Sequence, residues 1–135
     1  CCFLSLIKKE ILSHSFCKKG VVMSGVSAGA ICWFNEGITD SWESALKIMP
    51  CLEFVSGLCC PHYDEEPARR PATKKYLLKY KDREVIGIEG GCALHLRDNQ
   101  PFRAIRFLKG KNAYRVSQKN NHIIESPIRV HSLLK

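Results

Sequence analysis

The chain has 135 residues, of which 45% are hydrophobic and 25% charged, and this is the composition of one globular domain rather than of a disordered chain. No apolar run in the sequence approaches the roughly 20 residues that a membrane-spanning helix needs, so no membrane segment is expected. The net charge of +8 comes from basic residues that are spread along the chain without interleaved aromatic residues, and we expect no binding of nucleic acid.

The first predicted elements are a helix and a strand. Residues 3–16 carry apolar side chains at helical spacing, and Gly20 follows them as a typical C-terminal signal. Residues 21–26 are short, apolar and rich in valine, which predicts a buried strand. A short helix should begin after this strand and end at residues 35–37, and residues 38–44 are predicted to form a mostly polar loop.

A glycine–serine–glycine pattern, Gly25-x-Ser27-x-Gly29, lies where this strand meets the short helix. The arrangement is typical of a nucleophile elbow, in which a sharp turn presents a serine at the end of a strand. Glycines are expected on both sides because side chains there would collide with the neighbouring strand and helix. Ser27 is therefore the candidate nucleophile, and the Ala28 N–H is the candidate donor to an oxyanion. The alternative is a turn of small residues without chemistry.

The second half of the chain alternates between strand and helix signals. Apolar segments at 46–49 and 52–58 predict strands, and residues 73–81 predict a helix that turns Tyr76, Leu77 and Tyr80 inward. Short strands are then predicted at 85–89, 92–96, 104–108, 113–116 and 122–125, and the last three resemble a meander. Together these elements predict an α/β fold.

The eight cysteines do not form a recognisable metal or disulfide framework. Cys32 and Cys92 fall inside apolar segments, where a free cysteine behaves as a small hydrophobic residue. The adjacent pairs at 1–2 and 59–60 lack the spacing of a zinc site, and no second cluster completes four ligands. Because no secretory signal is recognisable, we expect reduced thiols in the cytoplasm and neither a metal nor another cofactor.

A serine nucleophile needs a base within hydrogen-bonding distance and an acid that orients the base. Of the five histidines, His62 is the best placed, because it follows an apolar strand and a proline that restricts the backbone. The other four histidines are interpreted as structural or exposed. The sequence leaves the acid open, and the candidates are Glu36, Asp40, Glu43, Asp64 and Glu89.

Four blocks of sequence, in this order along the chain, resemble the peptidase E family of serine peptidases, which includes aspartyl dipeptidases. They are residues 25–34 (GVSAGAICWF), 37–41 (GITDS), 60–64 (CPHYD) and 86–95 (IGIEGGCALH). The resemblance implies a flavodoxin-like sheet similar to that of class I glutamine amidotransferases, with a serine in place of their cysteine. It also implies hydrolysis, without a metal, of dipeptides and short peptides that begin with aspartate.

The resemblance also implies roles for individual residues. Ser27 corresponds to the nucleophile, His62 to the general base and Asp40 to the acid, with Glu36 or Glu43 as weaker choices for the acid. The family uses an arginine after the histidine to bind the aspartate carboxylate of the substrate. Arg69 and Arg70 both lie in that region, and Arg70 is the preferred candidate here, since a guanidinium suits a carboxylate.

Members of that family extend further on the N-terminal side, where they carry more strands and a second oxyanion donor. We therefore expect residues 1–135 to form one domain that lacks its N-terminal strands, with a catalytically impaired remnant or a binding module as the alternative function. An α/β-hydrolase esterase is disfavoured because its histidine comes last, after the acid. The expected partner is a small peptide substrate, and a homodimer is an assembly that the sequence allows.

Overall fold

A computed structural model describes residues 19–40 and 45–134 of the chain. The helix expected over residues 3–16 and the candidate acid Glu43 lie outside the described residues. Within these ranges the helices are α1 (Ala28–Ile31) and α2 (Arg69–Lys79). The strands are β1 (Phe34–Thr39), β2 (Lys47–Pro50), β3 (Val55–Cys60), β4 (Val85–Ile88), β5 (Cys92–Arg97), β6 (Gln100–Arg106), β7 (Ala113–Lys119), β8 (His122–Pro127) and β9 (Val130–Ser132).

Six strands form a mixed sheet in the order β2-β1-β3-β4-β7-β8. Its centre is parallel, because β3 pairs in the same direction with β1 and with β4. The outer pairings, of β2 with β1, of β7 with β4 and of β8 with β7, are antiparallel. The carboxyl ends of the three parallel strands therefore meet at one edge of the sheet, where open α/β sheets bind their ligands.

The two faces of this sheet are covered by different elements. On one face α2 contributes Leu77 to a cluster that contains Leu58 of β3. On the other face Cys59 of β3 belongs to a cluster that contains Ala104, from the three-stranded sheet β5-β6-β9. Leu58 and Cys59 enter opposite clusters because successive side chains of a strand point to opposite faces.

Helix α2 starts at Arg69, before the predicted start at residue 73. Pro71 is compatible with this start because the N–H groups of the first turn have no acceptor within a helix. Tyr76 and Leu77 are buried, as predicted. Tyr80 is 41% exposed, so the prediction that it points inward is wrong.

Three predictions about secondary structure are wrong. Residues 21–26 form no strand, and Val22 and Val26 are 90% and 86% exposed, since no strand in the described part of the chain pairs with them. Residues 35–37 do not end a helix but lie in the middle of β1, where they pair with β2 and β3. The meander does not form, because β6 pairs with β5 and β9 in the second sheet.

The architecture confirms the α/β class in its coarse form, with mixed sheets and few helices. Across residues 19–40 and 45–134, no helix is both long enough and apolar enough to span a membrane. The cysteines described there are free, and they are Cys32, Cys51, Cys59, Cys60 and Cys92.

Candidate active site

Ser27 lies on a strained turn immediately before α1. Its backbone angles, φ 52° and ψ −114°, are rare for a residue that carries a Cβ atom. The Gly29 N–H donates to the Val26 carbonyl oxygen (2.8 Å) and the Ala30 N–H to the Ser27 carbonyl oxygen (2.9 Å), so backbone hydrogen bonds fix the turn. Backbone strain of this kind is concentrated at functional sites.

The two glycines beside Ser27 have different surroundings. A Cβ atom on Gly25 would overlap the carbonyl group of Gly29, so the turn closes only with glycine at position 25. A Cβ atom on Gly29 would meet nothing within 4 Å. The predicted steric requirement for glycine is therefore confirmed at Gly25 and wrong at Gly29.

His62 follows the carboxyl end of β3 and contacts Ser27. The His62 Nε2 lies 3.1 Å from the Ser27 Oγ, which is within hydrogen-bonding distance. His62 is a second strained residue, with φ 53°. The next N–H along the chain, that of Tyr63, donates to the Ile88 carbonyl oxygen (3.0 Å) and ties this turn to the end of β4. The structure thus brings together the nucleophile and the base that the sequence predicts.

Glu65 is the carboxylate that contacts His62, and the sequence analysis did not identify it. Its Oε2 lies 2.7 Å from the His62 Nδ1, and the two side chains are 51% and 33% exposed, respectively. Gly90, just after β4, makes room for it, because a Cβ atom there would overlap the Glu65 carboxylate. The signal in the sequence was that Glu65 lies only three residues after His62. A turn brings the two residues together, and in it the Glu65 N–H donates to the His62 carbonyl oxygen (3.2 Å).

Asp40, the acid implied by the resemblance, contacts a different side chain. Its Oδ1 lies 3.3 Å from Nη2 of Arg69, a residue that is 3% exposed. Arg69 also donates from Nη1 to the Ile38 carbonyl oxygen (2.7 Å), at the end of β1. Arg69 also donates from Nε to the Glu66 Oε2 (2.7 Å), so Asp40 and Glu66 together balance the charge of this buried guanidinium. Glu65 occupies the position beside the His62 Nδ1.

Glu36, an alternative acid, lies on β1 and faces α2. Its Oε2 accepts a hydrogen bond from the Tyr76 hydroxyl (2.7 Å). Burial and this contact raise the pKa of Tyr76 to about 12. The Arg83 Nη1 lies 4.0 Å from the same carboxylate. These contacts give Glu36 a structural role at the β1–α2 interface.

Asp64 anchors the turn that carries His62. Its carboxylate accepts hydrogen bonds from the Gly90 N–H (2.8 Å) and from the Lys111 ammonium. Burial opposes ionisation of Asp64, but these two hydrogen bonds outweigh burial and lower the pKa of the carboxyl. The turn is thereby fixed to the segments that follow β4 and precede β7.

Arg70 lies at the centre of a cluster of charged and aromatic side chains. Its guanidinium donates to the Glu125 carboxylate and to the Glu89 Oε1 (3.1 Å). The same group lies 4.4 Å from the centre of the Tyr63 ring. Burial opposes the charge of Arg70, but the contact with Glu125 outweighs burial and raises the pKa of the guanidinium.

Glu89 is a buried carboxylate at the carboxyl end of β4. It is 8% exposed, and its Oε2 accepts a hydrogen bond from the Asn112 N–H (2.8 Å). Its other oxygen accepts the hydrogen bond from Arg70. Of the acids named from the sequence, Glu89 is thus the one joined to the arginine expected to bind substrate.

An open cavity of about 520 Å³ lies beside Arg70. Tyr63, which forms one wall, directly follows His62 in the chain, whereas Ser27, His62 and Glu65 do not line the cavity. Its lining combines positive, negative and aromatic side chains: Tyr63, Arg70, Pro71, Lys74, Ile123 and Glu125.

The cysteines of β3 are unsuited to nucleophilic chemistry. Burial raises the pKa of Cys60 to about 11 and raises that of Cys59 well above its usual value, so both thiols are protonated at neutral pH. Among residues 19–40 and 45–134, no group of three or more His, Cys, Asp or Glu side chains is arranged to hold a metal ion.

Comparisons with known proteins identify the family of the chain. A family model described as Peptidase family S51 matches residues 5–103. The uncharacterized peptidase YgaJ of Bacillus subtilis (strain 168) is 41% identical over 116 residues, which cover 86% of this chain and 50% of that relative. The chain belongs to peptidase family S51, and the resemblance to the peptidase E family is confirmed. It spans about half the length of the curated relative that it matches.

Proposed function

We propose that the chain carries the site of a serine peptidase that hydrolyses dipeptides or short peptides with N-terminal aspartate. The observation that supports this proposal most strongly is the continuous hydrogen-bonded series from the Ser27 Oγ through His62 to Glu65, with distances of 3.1 and 2.7 Å. This is the arrangement of nucleophile, base and orienting acid that acyl transfer requires. The strained turn at Ser27 acts as the nucleophile elbow.

In the proposed reaction, the Ser27 Oγ forms a bond to the carbonyl carbon of the scissile peptide bond while its proton moves to the His62 Nε2. The Ala28 N–H, at the start of α1, donates to the oxyanion that develops. The His62 imidazolium then gives its proton to the leaving amine as the carbon–nitrogen bond breaks. Water, deprotonated by the same imidazole, hydrolyses the acyl-enzyme and regenerates Ser27.

Glu65 is the acid that we propose for this arrangement. A carboxylate at the His62 Nδ1 keeps the proton on that nitrogen, leaves Nε2 as the acceptor for the serine proton, and stabilises the imidazolium that forms. Asp40 is the acid that the resemblance implies, and its contact with Arg69 argues against this role. Glu89, buried one residue before Gly90, is the second candidate.

The substrate class is proposed from the resemblance and from Arg70. A guanidinium beside an open cavity suits the side-chain carboxylate of an N-terminal aspartate. The parallel centre of the sheet, with the site at its carboxyl edge, is compatible with a flavodoxin-like, amidotransferase-type architecture. The free cysteines support a reducing compartment such as the cytoplasm.

The second candidate function is a binding module or impaired remnant with the same fold. It is favoured by the exposure of Val22 and Val26 beside the serine turn, because an unpaired segment positions a nucleophile less firmly than a strand does. A binding module or remnant would not hydrolyse peptide, whereas a peptidase would, so peptide turnover distinguishes the two functions.

The test is hydrolysis of an Asp-Leu dipeptide beside a Leu-Leu dipeptide. We expect the wild type to cleave the aspartyl substrate selectively and Ser27→Ala to lose that activity. Ser24→Ala, a change of the same kind in the exposed segment before the turn, is the matched control and should retain activity. A folded wild type without turnover would favour the binding module, and Ser27→Ala with full activity would exclude Ser27 as nucleophile.

A further inference from the structure

Glu125 lines the same cavity as Arg70, and neither the mechanism nor the family match uses it. It lies on β8, beyond the residues 5–103 that match the family model. Its Oε1 accepts a hydrogen bond from the Tyr63 hydroxyl (2.6 Å), and its Oε2 accepts one from the Arg70 Nη1. The Glu125 side chain is nevertheless 30% exposed, so a ligand in the cavity can reach it.

The charges around the cavity balance one another. Arg70 and Lys74 are positive, whereas Glu125 and Glu89, the two carboxylates bound to Arg70, are negative. A ligand that brings only a carboxylate would leave the cluster with an excess negative charge. A ligand that carries one positive and one negative group would keep it neutral, and charge matching of this kind determines specificity in desolvated sites.

The N-terminal aspartate of a peptide is such a ligand, because it carries an α-ammonium group and a side-chain carboxylate. A carboxylate has about four lone-pair positions and a guanidinium has five N–H donors, so the internal contacts of Glu125 and Arg70 leave capacity for both groups of the ligand. Binding then requires no displacement of Glu125 from Arg70.

We propose that Glu125 binds the α-ammonium group of the substrate and thereby restricts the peptidase to substrates with a free N-terminus. This inference rests on the proposed function, in which Arg70 binds the side-chain carboxylate. Glu125 is on this account a specificity residue: it contacts substrate but takes no part in proton transfer.

The direct test compares the binding of aspartate and succinate by titration calorimetry. The two ligands share two carboxylates, and only aspartate carries an ammonium group. We expect wild type to bind aspartate roughly 10- to 100-fold more tightly, the range for a hydrogen bond between charged groups. Glu125→Gln should bind both ligands equally. Glu84→Gln, which also removes a carboxylate paired with an arginine of this sheet, should retain the preference.

A kinetic test uses Asp-p-nitroanilide and its N-acetylated form. Glu125→Gln should raise KM for the free amine with little change in kcat, and the preference over the acetylated substrate should fall by the same 10- to 100-fold. Equal binding of aspartate and succinate to the wild type would overturn the inference, and this comparison stands even if Glu125→Gln does not fold. Labelling of Ser27 by a phosphonate reports on the proposed function separately, since it needs neither Glu125 nor Arg70.

Discussion

Replacing Glu65 by glutamine tests how His62 is oriented. The substitution preserves the shape of the side chain and removes the charge that faces the His62 Nδ1 at 2.7 Å. A hydrogen bond to a charged group contributes about 1.5–3 kcal/mol. Because Glu65 is 51% exposed and His62 33% exposed, solvent screens the pair, and we expect the lower end of that range. A loss of about 1.4 kcal/mol corresponds to about a tenfold decrease in kcat.

The assay is the steady-state hydrolysis of Asp-p-nitroanilide by Glu65→Gln, Asp40→Asn and Glu89→Gln. Glu65→Gln should lower kcat with little change in KM, whereas Asp40→Asn should retain kcat because Asp40 contacts Arg69. Glu89→Gln should act mainly on KM, through its contact with Arg70. An unchanged kcat in Glu65→Gln, together with a loss of more than tenfold in one of the other two, would refute the assignment of Glu65 as the acid.

Two further predictions concern stability. Gly25→Ala should destabilise the protein by about 1–3 kcal/mol in urea titrations, because the added Cβ atom overlaps the Gly29 carbonyl group. Gly29→Ala is the control and should change the free energy of unfolding by less than about 0.5 kcal/mol. Equal effects of the two substitutions would contradict the described turn. Because the pKa of Asp64 is lower in the folded state, its ionised carboxylate stabilises the fold at pH values above the ordinary carboxyl pKa of 3.8. This stabilisation is lost as the pH falls through the pKa of Asp64 in the folded state. Urea titrations of Asp64→Asn should therefore show a weaker loss of stability below that pH than the wild type, and identical pH profiles would count against the Lys111 and Gly90 contacts.

Local sequence signals predicted Ser27 and His62 as a candidate pair, and the structure places the two side chains in contact. The turn at Ser27 is closed by hydrogen bonds between residues three apart, and the glycine it requires is only two positions away. His62 follows an apolar strand and a proline, and both features can be seen in the sequence. Features of this kind are predictable because the residues that create them are neighbours in the chain.

The wrong predictions of secondary structure result from long-range pairing. Residues 34–39 contain Asn35 and Gly37, which disfavour a strand, yet they form β1 because β2 and β3 pair with them on both sides. The Asn35 side chain even accepts a hydrogen bond from the Gly57 N–H (2.9 Å). Residues 21–26 show the reverse case, since a strong strand signal is not realised where the described residues provide no partner.

The choice among the acids that the sequence offered illustrates the same limit within the site, whereas Glu65, three residues from His62, was missed at short range. Asp40, His62 and Glu89 all follow the carboxyl ends of neighbouring parallel strands, so topology alone makes each carboxylate a candidate. Which of these carboxylates is free to contact His62 depends on the ion pairs that the two arginines at the start of α2 form. Arg69 pairs with Asp40 and Glu66, and Arg70 pairs with Glu89 and Glu125. The sequence reveals none of these pairings.

Covalent labelling of Ser27 tests the central claim most directly. A diphenyl phosphonate without a peptide portion reacts with an activated serine when the Oγ displaces a phenoxide group from phosphorus, and mass spectrometry of the digested protein locates the adduct. Our account predicts one adduct, on the peptide that contains Ser27, with loss of labelling in Ser27→Ala, slower labelling in His62→Gln and unchanged labelling in Ser24→Ala. A folded protein that is not labelled, or that is labelled at the same rate without His62, would contradict the proposal that Ser27 and His62 form a catalytic pair.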